Sequence, residues 1–329
     1  MSPIVPRAGY TFRRMIALVP RAAHADLLPL VSELPVTLVP YDEDGPIPKE
    51  IAEARVVFRW IAGKAYARLV EAGPNVVWLH TASAGMDHVL CPEIETKPNL
   101  IVTDSGNAFP TSIGEFVLAW MLAHTHRIPD FLMLGRERRW EWTVHGELSG
   151  QTVGVVGLGP IGRGIASRCR ALGMKTLGYR RSAAPCEDVD ETLSGPEGLV
   201  RLLAESDWIV LACPLTAETR GLIGAEELAQ MKPGARLVNV ARGPVVSEAA
   251  LLDSLRSGHL GAAVLDVFDT EPLPAESPFW DLPNVYVTCH SSGWTEGLRR
   301  RQREIFVENL RRFTFGEPLV GVVDLSMGY

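Results

Sequence analysis

The sequence predicts an α/β protein of two domains, each a parallel sheet wrapped by helices. Three observations carry this expectation. The chain has 329 residues, more than one ordinary compact core takes. Short β-branched runs alternate with helical stretches. The alternation restarts, more cleanly, from residue 150.

Taken in order, strands are expected at 15–19 (MIALV), 36–39 (VTLV), 55–58 (RVVF), 76–79 (VVWL) and 100–103 (LIVT). A strong helix follows. Ser112-Ile113-Gly114-Glu115 reads as a capping box, and Ile113, Phe116, Val117, Trp120 and Met121 form one apolar helical stripe. Beyond it, strands are expected at 152–157, 174–179, 208–212, 236–240, 261–265 and 285–288, with helices at 161–172, 196–204, 225–231 and 247–257. Six strands with intervening helices suit a doubly wound dinucleotide-binding sheet. The last long helix is expected from Thr295 to Phe315, with Arg299-Arg300-Arg301-Gln302-Arg303 as a solvated face.

Composition narrows the function classes. Hydrophobic residues make up 47% and charged residues 22%, as in ordinary globular proteins. The net charge of -7 argues against a nucleic-acid partner. No apolar run is long enough to span a bilayer, so no membrane association is expected. The leading MSPIVPRAGYTFRR lacks the apolar core of a signal peptide and reads as a loose extension. Five cysteines, none at Cys-x-x-Cys spacing, point to a reducing compartment without disulfides or a zinc site. Together these features place the chain in the cytoplasm.

The segment QTVGVVGLGPIGRGIA holds Gly157, Gly159 and Gly162 as G-x-G-x-x-G, after an apolar strand and before a helix that starts near Ile161, just past Pro160. The first glycine permits a sharp turn. The second lets backbone approach a pyrophosphate, and the third lets helix pack on strand. The helix start then offers unpaired N–H groups and partial positive charge to phosphates. At the end of the next strand the chain reads Gly178-Tyr179-Arg180-Arg181-Ser182, with no carboxylate to repel a 2′-phosphate. Two guanidinium groups and a hydroxyl there predict NADPH over NADH, with NAD as the alternative.

Two later stretches place polar residues just after strands, where open α/β sheets bind ligands. NVARGPVVSEAALLDSLRSGHLGAAVLDVFDTEPLP contains Arg242, Asp266 and Glu271; VYVTCHSSGW contains His290. With LHTASAGMDHV at 79–89, the glycine loop and CPLTAETRGLI at 213–223, they resemble the D-isomer-specific 2-hydroxyacid dehydrogenases over most of the chain. Within that family the arginine-rich cofactor segment resembles that of glyoxylate/hydroxypyruvate reductases, so glyoxylate or hydroxypyruvate is the expected 2-oxo acid, with a bulkier phenylpyruvate-like acid as the alternative. The family resemblance implies a Rossmann-type domain at 105–290 and a flavodoxin-like substrate domain built from 1–104 and 291–329, with a cleft between them. It implies a homodimer joined through the cofactor domains, and a small 2-oxo or 2-hydroxy acid as substrate.

The resemblance also assigns roles. Arg242 corresponds to the arginine on the substrate's carboxylate and carbonyl, His290 to the acid/base and Glu271 to its partner. Ala84, Gly85 and Met86 fall on the carboxylate-binding loop. Cys213, Pro214, Thr219, Val240, Ala241 and Asp266 fall near the cofactor. A carboxylate beside an imidazole favours its charged form, so Glu271 is expected to favour proton donation by His290. Arg242, always charged, can steer a 2-oxo acid through its fork. The family commonly has proline where this chain has Cys289, which is expected to be a small packed residue. Trp60 and Trp294 are candidate pocket walls. Asp266, Asp269 and Glu271 lack accompanying metal ligands, so no metal is expected. A cofactor-sensing role like that of the corepressor relatives and a phosphonate-type dehydrogenase are the alternative functions.

Overall fold

The computed structural model describes residues 14–60, 63–325 and 327. The N-terminal extension lies outside the described residues except for Arg14. Two compact units emerge. One comprises the chain through Ser105 and from Arg300 onward; the other runs from Gly106 to Arg299.

The first unit holds five parallel strands: β1 (Met15–Pro20), β2 (Val36–Tyr41), β3 (Ala54–Arg59), β4 (Trp78–Thr81) and β5 (Ile101–Thr103). Their order, β2-β1-β3-β4-β5, is that of flavodoxin-like sheets. Burial runs continuously along β1 and β3 instead of alternating, because helices cover both faces. Successive side chains serve opposite cores. Leu18, Val57 and Leu79 join one cluster; Ala17, Val19, Phe58 and Trp78 join the other. Helices α1 (Arg21–Leu27), α2 (Ala65–Ala72) and α3 (Pro92–Glu95) lie among these strands. The chain's last helix returns here, and Phe306 stacks on Phe58 with centroids 4.1 Å apart.

The second unit opens with α4 (Pro110–Thr125) and α5 (Ile128–Arg136). The capping-box expectation fails. Pro110 occupies the first turn, so the helix begins earlier, and Ser112 donates to the Phe109 carbonyl from inside it. The sheet then contains β6 (Thr152–Val156), β7 (Lys175–Tyr179), β8 (Glu191–Leu193), β9 (Trp208–Leu211), β10 (Arg236–Asn239), β11 (Ala262–Leu265) and β12 (Val285–Val287). All pair in parallel in the order β12-β11-β10-β9-β6-β7-β8, a doubly wound sheet. The edge strand β8 was not expected; three residues carry no readable periodicity, and the Asp190 carboxylate pins the segment to Thr176.

Helices α6 (Pro160–Ala171), α7 (Gly195–Glu205), α8 (Ala225–Gln230) and α9 (Glu248–Arg256) connect these strands. The final α10 (Glu296–Phe315) starts where Thr295 accepts from the Leu298 amide. Its arginine run is not simply a solvated face. Gln302 is buried and donates to the Ala82 carbonyl, and Arg303 pairs with Asp26. The chain leaves the second unit inside this helix, later than the expected 290/291 boundary. The amides of Ser291 and Ser292 bond to Asp266 and hold that loop to the sheet. Among the described residues, no helix is long and apolar enough to cross a membrane.

Candidate active site

All seven strands of the second unit run parallel, so their carboxyl ends share one edge. The turns after β6, β9, β10, β11 and β12 carry Gly157, Cys213, Arg242, Asp266 and His290. With neighbouring strands about 4.8 Å apart, Arg242 and His290 leave the sheet roughly 10 Å from each other.

The glycine turn has the shape the sequence implies. Gly157 has φ +100°, and a Cβ there would meet the Cys213 backbone at 2.6 Å. A Cβ on Gly162 would lie 1.8 Å from the Gly157 carbonyl oxygen, so only glycine brings α6 this close to β6. A Cβ on Gly159 meets nothing within 4 Å. The backbone is therefore open there, beside Pro160 and the amides of the α6 N-terminus, which suits a pyrophosphate. At the end of β7, Arg180 is half-buried, with its amide on the Leu193 carbonyl, while Arg181 and Ser182 are exposed.

After β9, burial pushes the Cys213 thiol up to about 11, so it stays protonated and inert. Pro214 is exposed. The Thr219 hydroxyl donates to the Pro214 carbonyl at 2.6 Å and accepts from the Thr216 amide at 2.8 Å, which fixes the loop. After β10, Val240 and Ala241 are buried. Asn239 organises this turn, and sequence reasoning missed it. Its Oδ1 accepts from the Ala241 amide, and its Nδ2 donates to the Arg242 carbonyl, each at 3.0 Å. An asparagine at a strand end that can bond its own backbone was the available signal. Arg242 is half-buried and donates from Nη1 to the Ala241 carbonyl at 2.8 Å.

The histidine loop is held just as firmly. Asp266, 1% exposed, accepts from Thr288 Oγ1 (2.7 Å), Ser291 N (2.8 Å) and Ser292 N (3.0 Å). The His290 amide donates to the Asp266 carbonyl at 2.8 Å, and His290 itself takes a left-handed φ of +52°. Its Nδ1 lies 2.7 Å from Glu271 Oε2, while Glu271 Oε1 accepts from the Phe268 amide at 3.0 Å. Both carboxylate oxygens are engaged, so the imidazole is aimed. Nε2 has no partner among the described residues.

A pocket of about 440 Å³ opens here, lined by Asp266, Phe268, Glu271, Leu273, Trp280 and His290, among others. Cys289 also lines it and is exposed, not packed as expected; it stands just before His290, whose φ of +52° departs from extended backbone. Trp294 is 55% exposed, and Trp60 packs edge-on against Phe58. Among the described residues, no cluster of His, Cys, Asp and Glu could hold a metal.

In the first unit, Ala84, Gly85 and Met86 follow β4. The Met86 side chain is buried in the core. The three amides donate to none of the described residues, leaving a short run of free N–H groups at the carboxyl edge of that sheet.

Residues 118–292 match the D-isomer specific 2-hydroxyacid dehydrogenase NAD binding domain. A glyoxylate reductase from Thermofilum pendens is 36% identical over 78% of this chain and 77% of its own. Among solved structures, a D-isomer specific 2-hydroxyacid dehydrogenase from Xanthobacter autotrophicus, in complex with NADPH and MES, superposes with a TM-score of 0.81 at 34% identity. It covers 96% of this chain and 100% of that one. An NADPH-dependent glyoxylate/hydroxypyruvate reductase from Sinorhizobium meliloti, with NADP and sulfate, gives 0.80 at 28% identity over 96% and 100%. The parallel sheets agree with these matches: the chain belongs to the D-isomer specific 2-hydroxyacid dehydrogenase family.

Proposed function

We propose that the protein reduces a short 2-oxo acid, glyoxylate or hydroxypyruvate, to the D-2-hydroxy acid, using NADPH in preference to NADH. The observation that carries this reading is the 2.7 Å contact between His290 Nδ1 and Glu271, with Nε2 left open beside a pocket. The nicotinamide, when bound, supplies the hydride. His290 gives the proton from Nε2 to the carbonyl oxygen as negative charge grows there. Glu271 fixes the ring's tautomer and direction. Arg242 grips the carboxylate and carbonyl through its fork, and the amides of Ala84, Gly85 and Met86 add carboxylate donors.

Gly157, Gly159, Pro160, Ile161 and Gly162 would hold the pyrophosphate, and Arg180, Arg181 and Ser182 the 2′-phosphate. Two relatives with solved structures carry NADPH or NADP, which supports that preference. A homodimer through the second unit is supported by exposed Leu132, Met133, Trp140, Trp142 and Val144 along one stretch of chain. Five free cysteines support a reducing, cytoplasmic setting.

The test is a panel of 2-oxo acids with each cofactor, followed at the nicotinamide absorbance. Glyoxylate or hydroxypyruvate is expected to give the highest kcat/KM, at least tenfold higher with NADPH. A higher kcat/KM with NADH refutes the cofactor assignment. Tight cofactor binding without turnover of any short 2-oxo acid refutes the enzyme.

A further inference from the structure

The opposite edge of the seven-stranded sheet carries a second cavity, of about 340 Å³, lined by His124, Arg127, His145, Gln151, Arg236 and Tyr286 among others. Gln151 precedes β6 and Arg236 opens β10, so this cavity belongs to the amino ends of the strands. Strands of four residues (β10) and three (β12), at about 3.3 Å a residue, separate it from the turns bearing Arg242 and His290.

Its charges do not balance. Arg127 is paired with Asp130 at 2.6 Å. Arg236 is half-buried, over the Trp208 ring at 5.6 Å; no carboxylate among the described residues lies within ion-pair distance of it, and Asp207 acts on it only through space. The nearby Asp207 already accepts from Lys232 and from the Thr152 amide, each at 2.8 Å. The carbonyls ending α4 are also engaged. Leu122, His124 and Thr125 accept from the amides of His126, Arg127 and Gly146. Gln151 is occupied by the Trp208 indole and the Glu147 carbonyl.

Among the described residues, the one hydrogen bond the Arg236 side chain makes runs from Nε to His124 Nε2, at 3.4 Å. Burial, then Arg236 itself, lowers the His124 pKa, so the ring is a neutral acceptor at Nε2. Its proton then sits on Nδ1, 3.4 Å from the Tyr286 hydroxyl, which leaves the phenol O–H free to donate. Among the described residues nothing accepts from the terminal nitrogens of this half-buried guanidinium, and a phenol donor stands beside it, which suits an incoming acceptor.

We propose that this cavity binds a small oxyanion, a carboxylate or phosphate group, on the Arg236 fork with Tyr286 as second donor. The site is distinct from the active site and does not depend on the substrate assignment. Inorganic phosphate is the probe, titrated by calorimetry into Arg242→Gln protein saturated with NADPH, so that the arginine grip of the active site is removed and the cofactor's own phosphate-binding groups are already filled. One phosphate per chain is expected, bound at least tenfold more weakly after Arg236→Gln and several-fold more weakly after Tyr286→Phe. Crystals of the unsubstituted protein soaked in selenate should show anomalous density against Arg236, a readout that needs no variant to fold. Absence of binding, equal affinity with and without Arg236, or selenate at Arg242 or the Ala84–Met86 loop but not at Arg236 each overturns the proposal. A cavity already filled by a second copy of the chain gives the first of these results.

Discussion

His80 and His290 carry the same ring into opposite roles. His80 is fully buried, its nitrogens 2.7 Å from Thr103 Oγ1 and 3.1 Å from Ser105 Oγ, and burial lowers its pKa to about 3. The unfolded chain binds a proton there near pH 6.5, so the folded state binds fewer protons between pH 6.5 and about 3. Stability is therefore full above that window and falls with pH inside it, by about 2 kcal/mol at pH 5 from this ring alone. Urea unfolding at pH 7 and pH 5 should show that loss, and His80→Asn should flatten the slope. A slope unchanged by that substitution would assign the effect elsewhere. His290, in contrast, is 46% exposed on its side chain and holds a carboxylate on one nitrogen. His290→Ala should lower kcat by on the order of 10²–10⁴, the contribution of a general acid. Arg242→Lys should also be costly, because a point charge cannot copy the fork. Near-normal turnover in His290→Ala would remove the mechanism.

At the scale of elements, two turns are built so tightly that single atoms matter. In Gly162→Ala the new methyl meets backbone, the Gly157 carbonyl, which no rotamer change relieves. The expected cost is about 1–3 kcal/mol of stability, with cofactor affinity falling at least tenfold by fluorescence titration. Wild-type affinity would mean that the α6–β6 contact is not needed. The loop 288–292 hangs on Asp266 through three hydrogen bonds, making it a positioning residue for His290. Asp266→Asn replaces one acceptor oxygen by a donor facing an amide, and kcat should fall about 10–100-fold, from the 1–3 kcal/mol of an unsatisfied group. If instead only the cofactor's KM rises, the nicotinamide contact implied by family resemblance is its main role. Helix and strand placement was largely legible because apolar periodicity is a local property. The start of α4 was not, because Ser-x-x-Glu spacing also occurs inside a helix whose first turn a proline has already set.

For the whole molecule, exposed Trp140 and Trp142 are 89% and 91% accessible, which is unusual for large apolar side chains. A dimer should appear in light scattering, and Trp140→Ser with Trp142→Ser should shift the mass toward a monomer at micromolar concentration. An unchanged mass would place the contact elsewhere. The sequence by itself determined the alternating architecture and the glycine turn, since periodicity and residue order are written along the chain; Arg242, Glu271 and His290 were singled out by resemblance to the family. Only the tertiary structure decided which groups are engaged and which are open. Asn239 and Asp266 hold their loops, Thr219 closes on Pro214, and among the described residues no carboxylate lies within ion-pair distance of Arg236. The Asp266 and Arg236 pairings join residues that are distant in the chain, and burial has no signature until strands far apart in sequence are laid side by side, whereas the Asn239 and Thr219 bonds are local but depend on how each turn closes.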